Sequence, residues 1–398
     1  MGSVQAMPQG VLPDSISLVF GHPDASTLPV NDLRAASEAV LRGPQARLAL
    51  AYGAEQGAPA LIECLVDKLN CEKGLDLTRD HLMIVAGSTA AVDMIARLYV
   101  GRDGVVLVEA PTYHDALRVF RDHGADLRGV PTDEDGVIVE ALEAQLGALR
   151  HEGKSPKLLY TIPNFQNPAG VTLATTRREA ILKLARERGF LIVEDDVYRD
   201  LVFEGDVPPS FYALANGRGV LRIGSFSKIL SPGLRVGWLV AEPEHIRRCV
   251  DCGVMQMGGG ASPFAAHIVA EYCRAGCLEP HIAELRQVYQ RRREITLQAL
   301  ERHMPAGVTW THPRGGFFIW LTLPAGVSVG PLREAARARG VLFAPGTGFF
   351  ANGGGERNLR LAFSFAPPDE IEQGVAILAQ AIQVMTVTSA LPSASVVE

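Results

Sequence analysis

Apolar and polar positions alternate along this chain in two rhythms. Short apolar runs, too short for helices, appear at Met83–Ala86, Val105–Glu109, Lys157–Ile162, Phe190–Glu194, Leu221–Ser225 and Val236–Val240. Such runs predict buried β-strands. Between them the period lengthens: Ser88 to about Tyr99 reads as a helix, and Thr176–Arg188 places Ile181, Leu182 and Ala185 on one face. Strands alternating with helices predict an α/β domain whose mostly parallel sheet is covered by helices. After about residue 280 the rhythm changes. A long charged helix is expected through Leu285–His303, then strands at Phe317–Leu323, Val341–Phe343 and Leu359–Phe363. This predicts a smaller α+β domain that also takes in residues 16–45. The expected division is 1–45 with the small domain, 46–285 as the large domain and 286–385 as the small one. Residues 1–15 and a Ser-, Ala- and Val-rich tail at 386–398 show no packing pattern and are expected to be loose.

In open parallel sheets, ligands bind in the loops beyond the strands' carboxyl ends. Those loops hold the unusual residues. Lys228 lies in Gly224-Ser225-Phe226-Ser227-Lys228 and is followed by Arg235-Val236-Gly237-Trp238. A lysine between hydroxyls and an arginine suits Schiff-base chemistry, because burial and a nearby cation lower the amine's pKa. The serines and Arg235 offer what a phosphate requires. Together they suggest pyridoxal phosphate, and only six of the 38 basic residues are lysines. Asp195 ends a strand in Glu194-Asp195-Asp196-Val197-Tyr198, where a buried carboxylate can keep a pyridine nitrogen protonated and Tyr198 can reach the ring's oxygen. Asn167 follows another strand in Pro163-Asn164-Phe165-Gln166-Asn167-Pro168-Ala169-Gly170. Gly87-Ser88-Thr89 opens a helix, where backbone N–H groups attract anions. Tyr113 follows a strand and can stack on a heteroaromatic ring. Arg360 sits alone in an apolar strand and requires a carboxylate, internal or from a ligand. Each feature also has a plainer reading: a turn lysine, a metal site or solvated acidic strand end, an Asn-Pro turn, an N-cap, a core tyrosine, an internal ion pair.

Composition narrows the field. The 398 residues are 47% hydrophobic and 21% charged with net charge -6, which gives no basis for nucleic acid or an anionic membrane as partner. No apolar run approaches the length of a membrane helix, and the start lacks a signal-peptide pattern, so a cytoplasmic location is expected. Ala6 argues against myristoylation. The six cysteines, Cys249-x-x-Cys252 and Cys273-x-x-x-Cys277 among them, are read as reduced thiols, since the turns of a closed zinc site are missing. No G-x-G-x-x-G joins a strand to a helix, which disfavours a dinucleotide enzyme. Gly346-Thr347-Gly348 leads into Phe349-Phe350 rather than a helical start.

Taken together and in this order, the motifs from about Ile16 to Ile382 resemble those of fold-type I pyridoxal-phosphate enzymes, within them the class I/II aminotransferases. The most specific are Ser225-Phe226-Ser227-Lys228 through Arg235-Val236-Gly237-Trp238, with Asn167-Pro168-Ala169-Gly170 and Asp195-x-x-Tyr198. The resemblance implies an aspartate-aminotransferase-like fold with a seven-stranded sheet in the large domain. It implies that Lys228 forms the internal aldimine and shuttles the proton, with Asp195 on the pyridine nitrogen. Asn167 and Tyr198 would contact the phenolic oxygen, and Tyr113 would stack on the ring. Ser88, Thr89, Ser225, Ser227 and Arg235 would hold the phosphate, and Arg360 the substrate α-carboxylate. Tyr52, in Tyr52-Gly53-x-x-x-Gly57, and Ser262 look like residues that reach a neighbouring subunit's phosphate. A homodimer with shared active sites follows. Ile162-Pro163-x-Phe165-Gln166-Asn167-Pro168 is most similar to 2-aminoadipate and broad-range aminotransferases, and Gly21-His22-Pro23-Asp24 resembles their substrate-covering segment. Ala90 departs from the pattern where relatives often carry Gln, which bears on Thr89. No second arginine stands out for a side-chain carboxylate. The implied reaction moves an amino group from an L-amino acid to a 2-oxo acid, with 2-oxoglutarate the expected acceptor. A lyase, decarboxylase or cyclase using the same cofactor, and a regulatory module on the same scaffold, remain alternatives.

Overall fold

The computed structural model describes residues 15–390. Its centre is an eight-stranded sheet in the order β2-β9-β8-β7-β6-β3-β4-β5. The strands are β2 (Leu82–Val85), β3 (Val105–Ala110), β4 (Asp126–Asp133), β5 (Gly136–Val137), β6 (Pro156–Thr161), β7 (Leu191–Asp195), β8 (Val220–Ser225) and β9 (Gly237–Val240). Six are the strands read from the sequence, and β4 makes up the seven that the resemblance implies. The eighth, β5, is a two-residue strand folded back on the end of β4. β4, β3, β6, β7 and β8 run parallel, and β9 is antiparallel to both β8 and β2. The runs Leu82-Met83-Ile84-Val85 and Val105-Val106-Leu107-Val108 are buried throughout, as strands covered on both faces must be.

This topology sends the carboxyl ends of β2, β3, β6, β7 and β8 to one edge. Gly87, Ala110, Thr161, Asp195 and Ser225 therefore open onto the same space. The helix Thr175–Arg188 ends on Gly189, whose left-handed φ of 71° lets the chain turn into β7. The helix expected from Ser88 is α-helical to Ile95 and then widens into a π-helical turn, Ala96–Val100.

The second body is a four-stranded antiparallel sheet, β10 (Thr309–Trp310), β11 (Phe318–Thr322), β14 (Asn358–Ala362) and β13 (Ala344–Pro345) in that order. Beside it, β1 (Ile16–Ser17) pairs in parallel with β12 (Val341–Leu342). The N-terminal strand thus lies with elements more than 300 residues away. The expected boundary at residue 285 falls inside the helix Leu278–His303, so one continuous helix carries the chain between the two bodies. The last helix, Pro368–Ala390, runs past Thr386, where the loose tail was expected to begin. Residues 1–14 and 391–398 of the expected loose ends lie outside the described residues.

Candidate active site

The edge where the strands end holds most of the residues singled out above. Asp195 terminates β7 and is buried. The hydroxyl of Tyr160, from neighbouring β6, donates to its Oδ2 at 2.6 Å, while Oδ1 is buried with no hydrogen-bond partner. Burial, with Asp196 beside it, raises the Asp195 carboxyl to about 6 despite the Tyr160 bond and the nearby Lys228 cation. An orphaned carboxylate oxygen at such depth fits a cationic N–H donor.

Lys228 follows β8 on a tight turn in which the Ser231 N–H donates to the Phe226 carbonyl. It is half-buried, and its Nζ donates to the Gly21 carbonyl at 3.2 Å. The amine lies 6.0 Å from the centre of the Tyr198 ring. Desolvation is the largest influence on it and lowers its pKa to about 8; Arg360 and Arg235 push the same way and Asp195 opposes them. Gly21 reaches the amine only because it has no side chain, since a Cβ there would lie 2.4 Å from Phe318 Cζ.

Arg360, on β14, closes the far side. It is buried, donating to Asn167 Oδ1 at 2.8 Å and to the Val19 carbonyl at 2.6 Å. Its guanidinium carbon lies 4.3 Å from the Phe318 ring centre and 5.0 Å from that of Phe349. Nε has no partner, and Arg360 forms no ion pair among the described residues. Burial lowers its pKa to about 10. The internal salt bridge that would have explained this arginine structurally is thus not what holds it.

At the phosphate-like end, Gly87 has φ 83° and leads into the helix Ser88–Ile95, whose first turn has no side-chain cap. The Arg235 guanidinium lies across this turn, 2.6 Å from where a Gly87 Cβ would stand. Ser225 and Ser227 are buried nearby, the Ser227 N–H donating to Ser225 Oγ at 3.0 Å. Ser88 is half-buried and Thr89 exposed. Uncapped N–H groups, hydroxyls and a guanidinium suit a phosphate dianion. Tyr113 and Tyr198 both have phenols pushed up by burial and near Asp195 and Arg360. Lysine, orphaned aspartate and anion cradle together fit pyridoxal phosphate.

Two expected residues lie elsewhere in the single chain. Tyr52 is 92% exposed and packs on Gly258, in a cavity shared with Met255 and Met257. Ser262 is exposed and caps the helix Pro263–Arg274.

Other contributors carried no sequence signal of their own. Tyr160 reads as one more apolar strand residue. Glu109, at the end of β3, is buried and raised to about 7 by desolvation, although Thr161, the Ile162 N–H and Gln166 donate to it. Gln166 also bonds the Pro111 carbonyl and the Ala169 N–H, bracing the loop that carries Asn167. A cavity of about 470 Å³ abuts Arg360, His114 and Phe349 and is rimmed by Arg118, Arg333 and Arg337. Arg333 and Arg337 come one helical turn apart on Val329–Arg337, where a sequence shows only a polar face.

The profile described as Aminotransferase class I and II matches residues 20–378. The chain belongs to this family. It is 37% identical over 370 residues to aromatic-amino-acid aminotransferase 1 of Thermococcus litoralis, spanning 93% of this chain and 88% of that one. Among solved structures it resembles kynurenine aminotransferase of Pyrococcus horikoshii in complex with PMP, with a TM-score of 0.89 and 38% identity over 93% of this chain and 91% of that one. It also resembles the alpha-aminoadipate aminotransferase of Thermus thermophilus, complexed with N-(5'-phosphopyridoxyl)-L-leucine. There the TM-score is 0.86 and the identity 33%, over 95% and 94% of the two chains. The protein is a pyridoxal-phosphate-dependent aminotransferase of fold type I, and its substrates are amino acids and oxo acids. Among the described residues no helix is long and apolar enough to cross a membrane.

Proposed function

We propose that Lys228 is the attachment point of the cofactor and that the enzyme moves an amino group from an L-amino acid to 2-oxoglutarate. One observation carries this reading. A buried cation, Arg360, without an anion of its own shares a cleft with a lysine whose amine is lowered to about 8. The bound cofactor supplies an electron sink that makes the Cα–H bond of an amino acid acidic. Asp195, whose Oδ1 is free, would hold a proton on the ring nitrogen, with Tyr160 fixing the carboxylate from the other side. Arg360 takes the substrate α-carboxylate in a fork and thereby orients Cα toward Lys228. Once freed, the Lys228 amine would be the general base that accepts the Cα proton and, as its conjugate acid, would return it on the far side of the amino nitrogen. Asn167 and Tyr198 would hold the cofactor's ring oxygen, Tyr113 would cover the ring, and Ser88, Thr89, Ser225, Ser227 and Arg235 would hold the phosphate. The Gly21 carbonyl keeps the amine pointed into the cleft.

Support for a dicarboxylic partner comes from the cavity beside Arg360, where Arg118, Arg333 and Arg337 give an excess of positive charge. Support for a homodimer comes from the exposed apolar side chains Leu48, Leu50, Tyr52 and Met257, 60–92% accessible. Tyr52 and Ser262 would complete the partner's phosphate site from there. Sedimentation tests this: the wild type should run as a dimer, and a wild type that remains monomeric refutes the shared site.

The function is tested by the absorption spectrum of the holoenzyme with L-glutamate or L-2-aminoadipate and no acceptor. Conversion of the lysine-bound chromophore to the amine form, reversed by 2-oxoglutarate, is the expected result. A chromophore that binds but never converts, releasing carbon dioxide or an eliminated group instead, would refute transamination by this site.

A further inference from the structure

The space behind the strand ends is filled by one buried polar network that the reaction does not use directly. Asp196, adjacent to Asp195, is its hub. Asn164 Nδ2 donates to Asp196 Oδ1 at 2.5 Å. Arg222 donates to Asp196 Oδ2 through Nε at 3.1 Å and Nη2 at 2.8 Å, and through Nη2 to Glu72 at 2.9 Å. Arg199 closes the ring with Glu72 at 3.1 Å. On the other side, fully buried Arg178 donates to Asn164 Oδ1 at 2.7 Å and to the carbonyls of Pro163, Leu173 and Pro209.

The sequence positions of these residues carry the argument. Asn164 stands three residues before Asn167, Asp196 one after Asp195, and Arg222 three before Ser225. The network therefore fastens the loop that presents Asn167 to the end of β7 that presents Asp195 and to β8, the strand that leads to Lys228. Fastening is needed at the first of these, where Phe165 has φ 50°, a conformation that costs an L-residue energy unless its surroundings impose it. Buried networks of this kind set geometry more than they add stability, since desolvating the charges offsets much of their attraction.

We propose that Asp196, held by Asn164 and Arg222, is a positioning residue that sets the spacing between Asn167, Asp195 and Lys228. The proposal rests on the roles given above to those three residues. Asp196 touches neither substrate nor cofactor and acts through the loops on either side of it.

The test compares Asn164→Ala and Asp196→Asn holoenzymes with wild type and with Leu300→Ala, a core truncation in the helix Leu278–His303. Two readouts are taken: the pH midpoint of the visible band of the lysine-bound cofactor, and kcat against KM. If Asn167 drifts, its donor is lost from the ring oxygen, so the midpoint rises by about half a unit or more. Misplacement on the order of 1 Å lowers kcat roughly tenfold or more, a larger effect than on KM. Leu300→Ala should lower the melting temperature and move neither readout. A midpoint and a kcat unchanged within about twofold in both network variants, with only stability reduced, would overturn the proposal. If Asn164→Ala does not fold, Asn164→Ser keeps a donor hydroxyl and is judged by the same two readouts. Unsubstituted protein that never forms the lysine-bound chromophore would overturn both this inference and the role of Lys228, and the wild-type control identifies that outcome.

Discussion

In the cofactor-free protein the Lys228 amine should titrate near 8 rather than 10.5. At pH 7.5 that leaves roughly a quarter of it unprotonated, against about one part in a thousand for an ordinary lysine, a gain of roughly 200-fold in reactive amine. The cause is mainly desolvation, with Arg360 and Arg235 adding to it and Asp195 opposing. The substitution Arg360→Met therefore moves the pKa up, and Asp195→Asn moves it further down. A thermodynamic consequence follows with a definite sign. The folded pKa lies below the unfolded one, so between about pH 8 and 10.5 the unfolded chain holds more protons. Relative to Lys228→Met, cofactor-free wild type should gain stability across that window, by up to about 3 kcal/mol. The kinetic assay is the initial rate of pyridoxal phosphate incorporation against pH, trapped by borohydride, with the labelled peptide identified by mass. A midpoint near 8 on the peptide containing Lys228, displaced upward in Arg360→Met, is expected. A midpoint above 10, or a profile indifferent to Arg360, would refute the electrostatic account of this lysine.

Asp195→Asn should stabilise the cofactor-free protein at pH 7.5 by up to about 3 kcal/mol in thermal unfolding. Its folded pKa is about 6 against 3.8 unfolded, so stability falls as pH rises through that window and the advantage of Asn should vanish below pH 4. Gly21→Ala places a methyl 2.4 Å from Phe318 Cζ and should cost about 1–3 kcal/mol by calorimetry, with a lower kcat as the Gly21 carbonyl leaves Lys228. Charge reversal at Arg333 and Arg337 should raise KM for 2-oxoglutarate roughly tenfold at low salt and leave that for pyruvate within about twofold; equal effects on both acids would remove the dicarboxylate role of this cavity.

The large domain was legible in sequence because its strands are buried on both faces. Val105-Val106-Leu107-Val108 can be little else, and the expected helix Thr176–Arg188 begins one residue earlier in the structure. β4 was not legible. Asp126-Leu127-Arg128-Gly129-Val130-Pro131-Thr132-Asp133 carries Gly, Pro and alternating charge, and it is a strand because β3 supplies a parallel partner along six of its residues. The start of the long helix was read at Leu285 rather than Leu278, since Pro280 and His281 interrupt the charged pattern that marks the rest. Within the site, Lys228 and Arg360 announced themselves as polar residues in apolar surroundings, and Asp195 and Asn167 as polar residues just at or past strand ends. Tyr160 and Glu109 did not, because their significance lies in what stands across the sheet. The same holds for the Arg178–Asn164–Asp196–Arg222 network, whose members are scattered over 59 residues and meet only when β6, β7 and β8 align.

The contact between Arg360 and the Val19 carbonyl joins residues 341 positions apart, and the Ala362 N–H closes on the Leu18 carbonyl beside it. On a ribosome adding roughly 5–20 residues each second, the N-terminal strand waits about 20–70 s for that partner. In the interval the large sheet can assemble with its strand ends open to solvent, while Ile16 and Leu18 stay without the β12 and β14 strands that later bond to them. The substrate site is thus among the last parts of the molecule to be completed during synthesis. Until that partner is made, this apolar stretch stays open to chaperones.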